Sequence, residues 1–187
     1  MKKILLTLFM GASTIAFSQE TETTEDHLAG NRKHEIRLDA FEVLAINTLE
    51  LNYEYIISKY SGVGAAISIG WDEGDNFENY QNFAFTPYFR QYFFNKKDFG
   101  ARGLFAEGML QVASGEELFA DDFEGGGSTT TTNDWTNFGI GFALGQKWVS
   151  QNGFVLEISI GGGRYFGAAE DSPEGFVRGG ILVGYRF

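Results

Sequence analysis

From His34 to Phe187 the chain alternates bulky apolar side chains with small or polar ones at a period of two, in one run after another. In the second run, Leu49, Leu51, Tyr53, Tyr55 and Ile57 share a face, with Glu50, Asn52 and Glu54 opposite. The third sets Val63, Ala65, Ile67, Ile69 and Trp71 against Gly64, Ala66, Ser68 and Gly70. The sixth sets Phe138, Ile140, Phe142, Leu144 and Trp148 against Asn137, Gly139, Gly141, Ala143, Gly145 and Lys147. The eighth runs from Val177 to Phe187 in the same way, with Arg178, Gly180, Leu182, Gly184 and Arg186 on its second face. Strands one (about 34–43), four (82–94), five (101–113) and seven (153–166) alternate less strictly. Period-two runs of this length, separated by turn residues, predict an all-β barrel or sandwich of eight strands.

Alternation does not say which face points inward, because a lipocalin-like barrel buries its apolar face and a membrane barrel exposes it. Side-chain volume decides. Eight strands enclose only enough room for side chains to fill. The polar faces here are mostly Gly, Ala and Ser with a few charges, and the other faces are Phe, Ile, Leu, Trp and Tyr. Small residues fit a narrow lumen and large ones fit the outer circumference. The expectation is an eight-stranded antiparallel transmembrane β-barrel of meander topology over residues 34–187, with a soluble carrier as the alternative.

The residues before it read differently. Lys2 and Lys3 precede an apolar run from Ile4 to Phe17, and Ala16-Phe17-Ser18 offers a small-x-small cleavage pattern. Fourteen apolar residues fall short of the ~20 that span a bilayer as a helix. Residues 1–18 are therefore expected to be a cleaved signal peptide, and 19–33 a flexible leader. Cleavage would remove two lysines and move the formal net charge from −11 to −13.

The links divide into two sets. Those near Lys59–Gly62, Asn95–Gly100 and Val149–Gly153 are short, whereas those at about 72–81, 115–134 and 167–175 are long. The first link of the long set, near Leu44–Asn47, is an exception. Long loops outside and short periplasmic turns are the pattern of an outer-membrane barrel. The long loops carry thirteen acids and no Lys or Arg: four between Asp72 and Glu78, six between Glu116 and Asp134, and Glu170, Asp171 and Glu174. Pro87 interrupts the fourth strand, where a local bulge is expected.

Composition narrows the chemistry. Twenty-five Gly, 19 Phe, 8 Tyr and 3 Trp with only 2 Pro fit repeated strands, and the acidic balance argues against nucleic acid as a partner. Without Cys there is no disulfide, thiolate site or lipidated amino-terminal cysteine. The two histidines, His27 and His34, leave little for histidine-based catalysis.

The end of the chain, Gly184-Tyr185-Arg186-Phe187, resembles the terminal signal by which outer-membrane barrels are recognised for insertion. Thr86-Pro87-Tyr88-Phe89-Arg90-Gln91-Tyr92-Phe93, and the stretch from Gly145-Gln146-Lys147-Trp148 through Gly153-Phe154-Val155-Leu156-Glu157, resemble a family of small Bacteroidota outer-membrane barrels of undefined function. More distantly the architecture is similar to the OmpA and OmpX barrels. The resemblance implies fold, a Gram-negative outer-membrane location, and contact with the barrel assembly machinery through Tyr185 and Phe187. It brings no catalytic residues.

Alternation places Arg37, Arg90, Lys147, Arg178 and Arg186 on the inward faces, with Glu35, Asp39, Glu50, Glu54, Glu107 and Glu157. Near-balanced charge in a closed interior is tolerable only if paired, so a salt-bridge plug is expected rather than an ion path. Asp72-Glu73-Gly74-Asp75-Asn76 and Asp121-Asp122-Phe123-Glu124 lack EF-hand spacing and read as solvated surface. Gly125 to Thr132 reads as a mobile linker, not a phosphate loop. Trp71, Tyr80 and Trp135 at one end, and Trp148, Phe154, Tyr185 and Phe187 at the other, are expected in interfacial girdles. No catalytic, cofactor-binding or metal residue is assigned. The expected function is a non-enzymatic outer-membrane barrel that supports envelope integrity or surface interaction. A lipid-modifying enzyme is the alternative.

Overall fold

A computed structural model describes residues 32–45, 48–70, 79–93, 100–123, 127–166 and 173–187. The expected signal peptide, and all of the leader before Arg32, lie outside them. Nine strands and one short helix follow in order: β1 (His34–Asp39), α1 (Ala40–Ala45), β2 (Thr48–Ser58), β3 (Ser61–Gly70), β4 (Asn79–Tyr92), β5 (Gly103–Phe123), β6 (Gly127–Val149), β7 (Phe154–Phe166), β8 (Gly175–Arg178) and β9 (Ile181–Arg186). Every pairing is antiparallel, and all join consecutive strands apart from β7 with β9 and the closing pair, β9 with β1. Because β8 and β9 are two parts of one stave, this is a closed eight-stranded meander barrel.

One ladder row goes right round the wall. It runs Trp148–Leu156–Val183–Leu38–Leu51–Ile67–Phe85–Val112–Phe138, and so returns to β6 ten residues from its start. Such a stagger tilts the strands by roughly 35–45° and leaves an interior that side chains fill. All nine residues in that row point outward. Among the described residues the exterior is a continuous apolar band, while all eleven charged residues assigned to the inward faces are buried.

Four features depart from the sequence-based expectation. The first strand was expected to reach about residue 43 but stops at Asp39, whose carboxylate accepts the N–H groups of Phe41 (2.8 Å) and Glu42 (3.1 Å) and caps a helical turn. The last strand is broken at Gly179, with φ of 146°, and Gly180. Residues 115–134 are largely an extension of the β5–β6 hairpin, because the β-branched run Thr129–Thr132 pairs with Asp121–Leu118. Pro87 causes no bulge. The β4–β5 ladder omits Thr86 and Pro87 and resumes in the same register, and the irregularity lies between Gln81 and Phe83.

Candidate functional site: the ionic layer of the lumen

The lumen is stacked in three layers along the barrel axis. At the turn end, where His34 pairs with Phe187, Ile56, Tyr92, Ala101 and Phe105 form an apolar floor. Towards the loop end, Ala66, Tyr88, Met109, Ala143 and Phe176 form one cluster, and Ala84, Ala113, Trp135 and Tyr165 another. Between them lie ten charged side chains. Small positions serve as sockets for large ones: a Cβ on Gly64 would fall 2.5 Å from the Tyr88 hydroxyl, and one on Gly145 2.4 Å from the Phe105 ring.

Five glutamates and five basic residues make up the ionic layer. Arg37 reaches Glu35 (3.1 Å), Glu54 (2.8 Å) and Glu157, and donates to the Tyr88 hydroxyl at 2.7 Å. Arg90 bonds Glu107 on the neighbouring strand, where the two are direct register partners, and reaches Glu54 (3.0 Å) and Glu157 (2.7 Å). Lys147 sits 2.7 Å from Glu35 and 2.8 Å from Glu54. Arg178 joins Glu50 (2.9 Å) to Glu107 and donates to Asn52 at 2.7 Å. Arg186 holds Glu35 at 2.8 Å and donates to the carbonyls of Gly100 and Ala101, each at 2.7 Å. Ring faces complete the shell, with the Arg90 guanidinium 4.3 Å from the Phe105 centroid and 4.7 Å from that of Tyr88.

Two of the expected acids and one unassigned acid stand at the loop side of this layer. Asp39 caps α1, and Glu50 is engaged by Arg178, Asn52 and Ser68. Glu42, on α1, is turned inward with no hydrogen-bond partner at Oε2. It is buried there with the Glu50 and Asp39 carboxylates facing it. Sequence reasoning missed Glu42 because it took residues 40–43 as strand.

The remaining expected positions are distributed as follows. Trp148, Phe154, Tyr185 and Phe187 lie exposed on the outer wall towards the turn end, with Tyr53, Tyr55 and Tyr60. Trp135 does not join a girdle; it faces inward and packs against Tyr165 at 6.2 Å. Trp71 and the Tyr80 side chain lie outside the described residues, as do the acids of 72–78, the side chains of Glu117, Asp121 and Asp122, and Glu124, Glu170 and Asp171. His34 sits at the turn-end rim, with Nδ1 2.7 Å from the Tyr53 hydroxyl and its ring stacked on Phe187. His27 is outside the described residues.

Chemically, this layer is a plug. Its carboxylates are held by cations rather than presented to a space where a substrate could sit. No protein-family profile matches the chain. No curated protein matches it either. Among solved structures the chain is similar to the N-terminal β-barrel domain of Pseudomonas aeruginosa OprF, at 13% identity, over 83% of this chain and 96% of that one, with a TM-score of 0.41.

Proposed function

We propose that this chain is a non-enzymatic integral outer-membrane β-barrel, exported by a cleaved signal peptide over residues 1–18. It contributes to envelope integrity or surface interaction through its acidic loop end. One observation carries the reading: burial is inverted, with aliphatic and aromatic side chains round the whole wall and the charged side chains inside. Water would reject such an exterior, and a closed barrel leaves hydrocarbon no unpaired ladder where its strands meet. Outer-membrane lipid is then the principal partner. The barrel assembly machinery would read Tyr185 and Phe187 on the last strand, both exposed on the wall. The acidic charge makes nucleic acid an unsuitable partner.

A lipid-modifying reaction would need a nucleophile with an activating base near lipid at the loop end. His34 is at the opposite rim and is occupied by Tyr53 and Phe187. Extraction tests the location: the protein should stay with envelopes through high salt and carbonate, and come off in detergent as a species whose gel mobility changes on boiling. Release into aqueous buffer would overturn the reading in favour of a soluble carrier. A lipid A mass spectrum altered by deleting the gene, and restored by the wild-type chain, would overturn the non-enzymatic part.

A further inference from the structure

The barrel wall has a notch. Because β1 stops at Asp39, the ladder between β1 and β2 ends at Leu38–Leu51, while the β2–β3 ladder runs on to Thr48–Gly70. On the other side β8 pairs with β7 through Gly175–Arg178, and among the described residues its second edge has no ladder partner. The exposure of the wall marks the gap. Val177 is 87% exposed and Ile160 74%, whereas no other outward Ile, Leu or Val among the described residues exceeds 52%. The single turn of α1 stands where the missing part of β1 would run, packed on β2 and β9.

Two side chains hold α1 there. Asp39 caps it, and Gly180 has no side chain because a Cβ would lie 2.2 Å from the Asp39 Oδ2. Glu42 is the second anchor, 8% exposed and turned into the lumen mouth. The charged groups facing it are Asp39 from β1, Glu50 from β2 and Arg178 from β8. Arg178 is already committed to Glu50, Glu107 and Asn52. The only charged side chain of β9, Arg186, is bound to Glu35 and to the carbonyls of Gly100 and Ala101. An ionised Glu42 would thus be buried beside two carboxylates with Oε2 unbonded. The seat suits the neutral acid.

We propose that α1 is a pH-released stopper in a lateral notch of the barrel: Glu42 seats the helix against β2 and β9 while protonated, and its ionisation drives the helix out of the notch. A buried seat beside two carboxylates holds the neutral acid and not the anion, so seating is strongest at acid pH and weakens as pH rises.

The chain contains no Cys, so a nitroxide can be placed on a single introduced cysteine in the whole, folded protein in detergent micelles. Phe41→Cys reports α1, and Leu110→Cys on β5 is the control. The mobile spectral component at position 41 should grow reversibly as pH rises, while the control stays flat. Adding Glu42→Gln should keep position 41 immobile to pH 10; if that variant does not fold, Glu42→Leu serves instead. A flat profile at position 41 in the otherwise wild-type chain would overturn the proposal. So would an unchanged pH profile in the Glu42 variant.

Discussion

Arg90 and Glu107 show how much one residue can be asked to do in this lumen. Arg90 serves three carboxylates, and Glu107 two arginines, with none of these groups reaching solvent to any useful degree. Removing one side strands a buried charge, at a cost of about 3–5 kcal/mol by analogy with broken buried pairs in soluble proteins. Arg90→Met should therefore destabilise more than Glu107→Gln, and the double variant less than the two combined. Urea unfolding of the protein in lipid vesicles measures the cycle, and zero coupling would show that the two act independently. The charged half of the layer was legible from parity alone, because a period of two fixes which face each residue takes. The aromatic half was legible by the same rule and was passed over. Tyr88 and Tyr92 share the parity of Arg90, Phe105 and Met109 that of Glu107, and Phe176 that of Arg178. Reading small side chains as the filling hid the point that they are sockets for these large ones.

Single elements were harder to read where a local interaction overrode the alternation. Asp39-Ala40-Phe41-Glu42 continues the strand pattern tolerably, yet it also has a capping residue with Glu three places on, the mark of a helix start. The cap wins where the β1–β9 ladder ends at Asp39–Leu182, beside the break at Gly179 and Gly180. The two irregularities are thus one device, with Gly180 making room for the Asp39 carboxylate. Gly180→Ala should push that carboxylate off the N–H groups of Phe41 and Glu42 and lose about 1 kcal/mol of capping. In the Phe41→Cys spin-label experiment, this variant should show a larger mobile component even at pH 5; an unchanged spectrum would mean that Asp39 does not hold the helix.

At the scale of the whole molecule, what matters is that the three lumenal layers block one another's path. An ion entering from the loop end meets Trp135, Tyr165 and Phe176, then ten paired charges, then Tyr92 and Phe105. Eight strands leave no aqueous bore around them. Reconstituted in a planar bilayer at neutral pH, the protein should give no resolved single-channel steps. Steady unitary currents would show that the ionic layer parts and that the lumen is a pathway. The closed architecture was fully legible in the sequence, since runs, links and terminal pattern agree. The notch was not, because it arises from a stave shared between two strands and a helix.

The ionic layer also ties the charge balance of the interior to the length of the chain. Its cations are delivered late: Lys147 comes with β6, and Arg178 and Arg186 arrive only with β8 and β9. A chain that ended after β7 would hold all five glutamates against three cations, in an interior whose remaining wall could not close. Such a truncated product would carry buried carboxylates without their cations, which is strongly destabilising. The last dozen residues thus supply the final pairing edge and, with it, the charge that lets the interior dry.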